Sequence, residues 1–431
     1  MLDLARLLLV KLQKSDSGYL DRFARMGRQK VEGHLYRQVR FDSLEPDTFE
    51  KIQQCYSFES LSLGLIKRRE GTLMNSMLAK NKQIALQINM YPPDIHHVAN
   101  ILPHQLRMWS SQVNSIHLTV DCKKSQSGRY SNDYDHSTNI EKIRTFCYNI
   151  SEELRNVIYD EVDYSVNYKK KVGRFFFDAD GCPEKAWDGG PFYSYFFGVY
   201  NAQGDYVLHM DSDMLYGGGS KHWIQEAIRL FEESPNVLFM GPLPGPPRDD
   251  GQILDLRPQH GVVPIQFQYP VNRSAFAFDS VSTRIFLFNR RRFEAEKLKL
   301  NLVTPNLLQR LKATLLGNEP NVLEAETILS RFLNKRRYLR VDFLGTAPGM
   351  WSLHPPYRSE AFFDALPELI RRVEANDIPD SQRGRYDIVD ELHDWTDVRD
   401  RYKRNARVKR QLLHAFRYWT SRIFREKAQE I

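Results

Sequence analysis

Two aspartates separated by one serine, Asp211 and Asp213, are the side chains of this sequence best placed to do chemistry. They directly follow Tyr206–Met210, an apolar run whose length and composition predict a buried strand of a parallel sheet. Open α/β sheets bind ligands at the carboxyl ends of their strands, so the two acids are predicted to lie at a ligand site. Neighbouring carboxylates repel each other unless a cation lies beside them. A hard divalent ion, Mg²⁺ or Mn²⁺, would satisfy both acids and would in turn hold a phosphate.

The segments around these acids alternate between helix and strand. Ile84–Met90 and Ser115–Val120 are predicted strands, and the apolar periodicity of residues 95–114 predicts a helix between them. A strand–helix–strand unit of this kind makes a right-handed crossover within a parallel sheet. A further predicted helix, Pro191–Gln203, ends at Gly204 and leads into the strand before the acids. The sequence therefore predicts an α/β fold.

Two less regular stretches follow the same reasoning. Val162–Val166 is predicted to be a strand, and Gly173–Asp180 and Gly181–Gly190 are interpreted as an aromatic run followed by a Gly-rich loop. Gly241–Asp250 contains four prolines, which cannot donate to a strand ladder, so this segment is predicted to be an irregular loop near the acceptor.

The order of a helix, A-x-G-x-Y, a strand and D-x-D resembles the centre of the GT-A glycosyltransferases, especially the large inverting family 2. The residues that carry this resemblance are Ala202, Gly204, Tyr206, Asp211 and Asp213. The resemblance implies a GT-A (Rossmann-like) domain over residues 82–356, with a mixed, mainly parallel sheet flanked by helices. It also implies hexosyl transfer from a UDP- or GDP-sugar to an acceptor hydroxyl, with Mn²⁺ or Mg²⁺ as the cofactor.

The resemblance assigns further side chains to the nucleotide sugar. Some follow the first two predicted strands, some lie in the loop before the predicted helix Pro191–Gln203, and some lie within D-x-D itself. In that order they are Tyr91, Pro92 and Asp121; Lys185 and Asp188; and Asp211 and Ser212. The Asn that the family usually has after the Tyr is absent, and the single Asp121 replaces a common Asp-Asp pair. The identity of the base therefore stays open. Lys185 and Asp188 are equally compatible with an ordinary loop.

Two acids at the start of a later helix are candidates for the catalytic base. Glu324 and Glu326 precede the predicted helix Thr327–Asn334, where the resembled family places an acidic pair whose second member deprotonates the acceptor hydroxyl. Here Ala325 splits the pair, so we favour Glu326 and keep Glu324 as the second choice. An inverting displacement needs such a base, so inversion depends on this assignment. Acids in a first helical turn are also ordinary partners of the helix dipole.

The segment after the last predicted strand, Tyr338–Phe343, supplies two more candidates. Many GT-A enzymes complete the metal shell with a His after the last strand, and His354 has that place. Together with Asp211 and Asp213 it forms the metal set that the resemblance implies. Trp351 is a candidate for stacking on the acceptor sugar.

Composition limits the partners of the chain. The 431 residues carry a net charge of +7, which suits phosphorylated ligands, an anionic lipid surface or nucleic acid. The basic residues are dispersed without a nucleic-acid recognition module, so nucleic acid is not an expected partner. The four scattered cysteines indicate reduced thiols and a cytoplasmic setting. No apolar stretch approaches the roughly 20 residues that span a bilayer. The first residues, MLDLARLLLVKLQK, are predicted to form an amphipathic helix and not a signal peptide.

Two helical extensions flank the predicted catalytic domain. Residues 1–81 are dense in charge and contain no catalytic constellation, whereas residues 357–431 are helical and become basic towards the end. Apolar side chains recur at helical spacing in the last stretch, namely Val408, Leu412, Phe416, Trp419, Ile423 and Phe424. This pattern fits a helix on the inner face of an anionic membrane, and it equally fits packing on the domain or on a second subunit.

Two other functions remain alternatives. A GT-A-like nucleotidyltransferase shares the fold and the acids, but it would normally carry a Gly-rich, basic phosphate loop where this chain has MYPPDIHH. A non-catalytic basic binding protein rests on the charge alone. The glycosyltransferase interpretation implies assembly of a polysaccharide, glycolipid or glycan, with a glycan, lipid-linked or small-molecule acceptor.

Overall fold

The structure is a computed structural model that describes residues 82–124, 136–256 and 274–403, together with 411, 413–416 and 418. The described residues belong to one compact unit that spans Phe58–Ile431. The extension predicted for residues 1–81 and most of the basic segment 404–431 lie outside the described residues.

One half of the central sheet is parallel. Its strands are β1 (Ile84–Met90), β2 (Ser115–Val120), β3 (Val157–Glu161) and β4 (Tyr206–Asp211), in the spatial order β3-β2-β1-β4. Ile88 of β1 lies opposite Leu118 of β2 on one side and Met210 of β4 on the other. All four carboxyl ends therefore lie along one edge of the sheet, which we call the carboxyl edge.

The other half of the sheet mixes strand directions. Its members are β5 (Leu215–Gly217), β6 (Val237–Pro244), β7 (Ala275–Phe278), β8 (Ile285–Asn289), β9 (Leu339–Phe343) and β10 (Trp351–Leu353). β8 runs antiparallel between β4 and β6, whereas β9 and β10 run parallel to β6. The amino end of β8 consequently reaches the carboxyl edge, beside the carboxyl ends of β4, β6, β9 and β10.

Helices cover both faces of this sheet. They are α1 (Ile95–Trp109), α2 (His136–Glu153), α3 (Val166–Phe176), α4 (Tyr193–Asn201), α5 (Trp223–Glu233), α6 (Arg290–Ala295), α7 (Leu307–Leu315), α8 (Ala325–Arg336), α9 (Glu360–Glu374) and α10 (Thr396–Tyr402). The predicted fold class is confirmed: the protein is mixed α/β, with a mostly parallel central sheet flanked by helices. No helix among the described residues combines the length and the apolar character needed to cross a membrane.

Successive side chains of a strand point to opposite faces of the sheet and pack in separate apolar clusters. Leu86 and Leu208 pack in the cluster with α1 and α5, whereas Ala85 and Val207 pack in the aromatic cluster with α4. Because both faces are buried, β1 and β4 are almost continuously apolar, as expected of strands inside a parallel sheet.

Three predicted segments differ from the structure. The strand expected over residues 162–166 is β3, five residues earlier, and α3 includes residues 173–176 of the predicted aromatic run. β6 continues through Pro244 into the proline-rich segment. The prolines fit because Leu243 and Gly245 donate their N–H groups to Met350 and Ser352 near β10, while Pro242 and Pro244 occupy the alternate positions.

Two features that follow residue 356, α9 and Trp395, pack on the same sheet. α9 contacts α1 and β5. Phe362 of α9 and Trp395 share one apolar cluster with Trp351 of β10. The segment that the sequence assigns to a C-terminal extension therefore begins as part of the structure that surrounds the carboxyl edge.

Candidate functional site

The D-x-D turn is held at the end of β4 by its backbone. The N–H of Asp211 donates to the carbonyl of Arg284, at the amino end of β8, over 2.8 Å. From α1, the side-chain amide of Gln105 donates to the carbonyls of Asp211 and Met214 over 3.1 and 3.0 Å. The turn is thus fixed from both sides, and the orientation of the two acids follows from the backbone.

A third acid, Asp94, lies beside this turn and was not predicted from the sequence. Ser212 Oγ donates to Asp94 Oδ2 over 2.9 Å, and Tyr91 N donates to the same oxygen over 2.9 Å. His97 Nε2 lies 3.1 Å from Ser212 Oγ. Because the serine proton goes to Asp94, His97 must donate from Nε2. The signal in the sequence was the acid that closes Tyr91-Pro-Pro, directly after the first strand.

The guanidinium of Arg358 bridges two of these acids, and this residue was not predicted from the sequence either. Arg358 Nε donates to Asp213 Oδ2 over 3.0 Å and its Nη2 contacts the same oxygen, while Nη1 lies 3.6 Å from Asp94 Oδ1. The side chain of Asp213 is 2% exposed, whereas that of Arg358 is 43% exposed. The arginine therefore reaches from the solvent side onto a buried carboxylate.

The two acids of D-x-D have opposite electrostatic environments. Burial and then repulsion by Asp213 raise the pKa of Asp211 well above its ordinary value, although Tyr195 donates a hydrogen bond to it over 3.0 Å. Burial alone would raise the pKa of Asp213 too, but Arg358, with smaller contributions from His354 and His97, holds that pKa well below the ordinary range. The pair accordingly carries one strongly held negative charge at Asp213 and a readily protonated carboxyl at Asp211.

The acids fit a divalent cation in chemistry but are not arranged around one. No group of three or more His, Cys, Asp or Glu side chains in the described part of the chain has the arrangement of a metal site. Asp213 Oδ1 is nevertheless buried and has no hydrogen-bond partner in the described residues, which leaves a carboxylate oxygen available for a cation. Oxygen ligands of this kind suit Mg²⁺ and Mn²⁺.

His354 follows β10 at the carboxyl edge. Its Nδ1 lies 2.8 Å from Asp387 Oδ1, and its ring stacks on Tyr386 with centroids 5.8 Å apart. A carboxylate that holds one ring nitrogen of a histidine orients the other nitrogen, as metal-binding histidines require. The influence of His354 on Asp213 shows that it lies in the same electrostatic environment as the D-x-D acids.

Trp351 has a structural environment that differs from its predicted role. Its side chain is 1% exposed and packs in an apolar cluster of the core. Any side chain at Gly217 would overlap its ring, which shows how closely the backbone covers it. Because neither ring face is accessible, we do not retain Trp351 as an acceptor-stacking residue.

The predicted donor-site residues divide into two groups. Asp121 lies after β2 and binds Tyr164 OH over 2.9 Å, Lys123 N over 3.1 Å and Lys185 Nζ over 3.3 Å. Lys185 is thus placed beside Asp121, as a shared role at the carboxyl edge requires. Asp188 instead accepts from Gly190 N over 2.9 Å, which closes a turn in its own loop. Pro92 is buried in the short helix Pro92–Asp94, next to Tyr91.

The two candidate bases have different partners. Glu324 precedes α8 and accepts from Trp187 Nε1 over 2.8 Å and from Thr327 Oγ1 over 3.3 Å. Glu326 is exposed and accepts from Thr283 N over 2.9 Å. Thr283 adjoins Arg284, whose carbonyl binds the D-x-D turn. Of the two acids, Glu326 is therefore the one connected by hydrogen bonds to the Asp211 side of the edge.

Comparison with known proteins finds no match to a family model or a curated protein, and a distant likeness to a solved structure. Among solved structures, the chain is similar to the crystal structure of GalNAc-T7 with UDP, GalNAc and Mn²⁺, at 12% identity and a TM-score of 0.36. The match covers 67% of this chain and 48% of that one, so the chain spans about half the length of this neighbour. At this TM-score the likeness to GalNAc-T7 carries no argument about the fold or the activity of this chain.

Proposed function

We propose that this protein is a metal-dependent glycosyltransferase, which moves a sugar from a nucleoside-diphosphate sugar to an acceptor hydroxyl. The observation that carries the proposal is the grouping of Asp94, Asp211 and Asp213 at the carboxyl edge, where β1 and β4 are neighbours. Burying ionised carboxylates costs free energy unless they are paired with a cation. Three acids at one strand edge are therefore more readily explained by a ligand than by the stability of the fold.

The metal assignment uses the acids of D-x-D and the histidine after β10. Asp211, Asp213 and His354 would hold Mn²⁺ or Mg²⁺. Oδ1 of Asp213, which has no hydrogen-bond partner in the part of the chain that the structure describes, supports this assignment. When bound, such an ion neutralises the charge that develops on the leaving diphosphate. Asp94 and Ser212 orient the turn, because the hydroxyl of Ser212 is committed to Asp94.

The donor is proposed to lie along the ends of β1 and β2. Tyr91, Pro92 and Asp121 would contact the base and ribose, with Lys185 beside them. Ser212 stays a weaker candidate for a donor contact near the diphosphate, because its hydroxyl is already bound to Asp94. Asp188 stays a weaker candidate, because its carboxylate already closes a turn with Gly190.

Glu326 is the proposed base. A base must reach the acceptor hydroxyl on the side opposite the leaving group, in a position where it can lose its proton to solvent or product. Glu326 is exposed and is bound to Thr283 at the same edge. Glu324, held by Trp187 and Thr327, remains the second candidate. Displacement with inversion is part of the proposal, since it requires this base.

The test is a calorimetric panel of UDP, GDP, CDP and their sugars, with and without Mn²⁺. Wild type is compared with Asp213→Asn, which removes one site charge, and with Asp364→Asn, which removes one exposed charge from α9. We expect metal-dependent binding of one diphosphate in wild type and in Asp364→Asn, with a loss of at least about tenfold in Asp213→Asn.

Other outcomes contradict the proposal. Nucleotide binding that ignores both the metal and Asp213→Asn would remove the D-x-D acids from the site. Preferential binding of nucleoside triphosphates and pyrophosphate would favour a nucleotidyltransferase. Absence of any nucleotide binding would leave a non-catalytic protein.

We also propose that the protein works in the cytoplasm and contacts the inner face of an anionic membrane. Supporting this, α7 exposes Leu307, Leu308 and Leu311 by 70, 78 and 53%, and its charged residues, Arg310 and Lys312, are both basic. Exposed leucines next to basic side chains suit an interfacial helix. Leu316, directly after α7, accepts a hydrogen bond from His414 over 3.2 Å, which brings that histidine to the same surface.

Vesicle co-sedimentation tests this contact. We expect binding to phosphatidylglycerol vesicles but not to phosphatidylcholine vesicles, with a loss of about tenfold or more when Leu308 and Leu311 are both replaced by Ser. Val166→Ser, which removes a 66% exposed apolar side chain from α3, is the control. Equal sedimentation of all three proteins, or a concentration-dependent dimer that the double variant abolishes, would contradict membrane binding.

A further inference from the structure

Arg358 occupies an unusual position for a residue of a metal-dependent site. It lies between β10 and α9 and places its guanidinium on Asp213 and Asp94, in the position where a cation is expected. Its Nε and Nη2 both contact Oδ2 of Asp213, so Oδ1 of that carboxylate has no partner in the described residues. The acids are thus neutralised in part, by a side chain that is itself partly in solvent.

The backbone that carries Arg358 is fixed on both sides. Tyr357 packs edge-on against the buried Trp395 with centroids 5.7 Å apart. Ser359 caps α9, with Oγ accepting from Phe362 N over 3.2 Å. Because these neighbours anchor the backbone, Arg358 can change its position by rotating its long side chain alone. The 43% exposure of that side chain leaves room for such a rotation.

We propose that Arg358 neutralises Asp94 and Asp213 in the ligand-free protein, gives up Asp213 to an incoming divalent cation, and then binds the diphosphate of the donor. This inference rests on the proposed function and adds a residue to it. Two positive groups cannot share one buried carboxylate without strong repulsion, so the cation and the guanidinium compete for Asp213.

The diphosphate is the natural partner for the released guanidinium. Once the metal neutralises Asp213, the guanidinium loses its main electrostatic partner at the carboxyl edge. The planar fork of an arginine binds two phosphate oxygens at once, which a lysine cannot do. A nucleoside diphosphate bound to the metal at Asp213 would place its phosphates within the region that Arg358 already reaches.

The first experiment measures Mn²⁺ binding without nucleotide, by the electron paramagnetic resonance signal of free Mn²⁺. We expect Arg358→Gln to bind Mn²⁺ about tenfold more tightly than wild type, because the competing charge is gone. Arg358→Lys should lie between the two. Arg371→Gln, which removes an exposed charge from α9, should match wild type. Unchanged or weaker Mn²⁺ binding in Arg358→Gln, in a protein that melts like Arg371→Gln, would overturn the competition.

The second experiment uses UDP, GDP and CDP in the presence of saturating Mn²⁺. We expect Arg358→Gln to weaken binding of the preferred diphosphate about tenfold and to leave the corresponding monophosphate within about twofold. Equal effects on the diphosphate and the monophosphate would overturn the diphosphate contact. If wild type binds no nucleotide, the proposed function and the diphosphate contact both fail, whereas the Mn²⁺ titration still decides whether Arg358 competes with the cation.

Discussion

His104 Nδ1 and Glu374 Oε1 lie 2.7 Å apart and join α1 to the last turn of α9. The other ring nitrogen of His104 accepts from Tyr216 N over 2.9 Å, so the histidine is neutral and donates from Nδ1. Arg107 Nη2 reaches the same carboxylate oxygen over 2.7 Å. Since α9 begins two residues after Arg358, this contact fixes the helix that follows Arg358 to the helix that holds the D-x-D turn.

Replacing Glu374 with Gln should make the protein less stable in a manner that depends on pH. Burial alone would raise the pKa of Glu374, but His104 and Arg107 lower it to about 2, against an ordinary 4.5. A carboxylate whose pKa is lowered on folding stabilises the fold at pH values above its ordinary pKa. This contribution is lost as the pH falls from 4.5 towards 2. The carboxylate is partly exposed, so we expect a loss of about 1 kcal/mol at neutral pH.

Urea unfolding at several pH values measures this difference. The difference in free energy of unfolding between wild type and Glu374→Gln should shrink as the pH falls below 4.5. Glu368→Gln, which breaks an exposed pair with Arg371, is the control and should change the free energy of unfolding by less than about 0.5 kcal/mol. A difference between Glu374→Gln and wild type that stays constant through this range would contradict the lowered pKa.

Metal affinity should rise with pH. Asp211 has a raised pKa in the metal-free protein, so a cation must displace its proton. Affinity for Mn²⁺ is therefore expected to increase up to about tenfold per pH unit until the pH exceeds that raised pKa. Calorimetry in buffers of different ionisation enthalpy detects the released proton directly. Binding that releases no proton anywhere above pH 3.8, the ordinary value for Asp, would show that Asp211 is already ionised.

Replacing each of the two glutamates, Glu324 before α8 and Glu326 within it, by Gln distinguishes which of them is the base. Glu326→Gln should lower hydrolysis of the donor sugar about 10²- to 10⁴-fold and leave nucleotide affinity within about twofold, because it removes the proton acceptor without a charge near the diphosphate. Glu324→Gln should keep most of the activity, since an amide can still accept from Trp187. The reverse pattern would identify Glu324 as the base.

A buried ion pair in β9 leaves no room for a side chain at Gly241 of the neighbouring strand β6. Arg340 and Asp342 of β9 form a bidentate pair at 2.7 and 2.8 Å, and a side chain at Gly241 of β6 would overlap the carboxylate. Gly241→Ala should cost about 3 kcal/mol or more by separating the buried pair. Gly181→Ala, where an added methyl group meets no atom within 4 Å, should lie within about 0.5 kcal/mol of wild type. Equal melting temperatures for both variants would show that the pair adjusts.

The local part of this architecture was predictable from the sequence. Strands buried on both faces leave nearly continuous apolar runs, so Ile84–Met90 and Ser115–Val120 were predicted with their observed bounds. α3 was missed because its pattern is interrupted by Gly173, which tertiary packing requires: an added Cβ there would overlap the carbonyl of Gly181. Gly173 is thus required by a contact with another segment and not by the helix itself, so the helical pattern of the sequence does not explain it.

The site was predictable only where a motif is contiguous. Asp211 and Asp213 could be found because three consecutive residues carry the pattern. Asp94 belongs to the site because β1 pairs with β4, and Arg358 because a loop 145 residues after Asp213 returns to the same edge. One arginine among 61 basic residues gives no signal of that return. The direction of β8, which brings Arg284 to the edge, is likewise a property of the assembled sheet.

The position of Arg358 also governs the order in which the site forms during synthesis. The ribosome delivers Asp94 and Asp213 well before the arginine, and domains fold as their segments emerge. Until residue 358 leaves the exit tunnel, both carboxylates lack this neutralising partner. Burying them at that stage would cost free energy, so they stay hydrated. A nascent chain can therefore pair β1, β2 and β4 early, whereas closure of the acidic edge must wait until Arg358 has emerged.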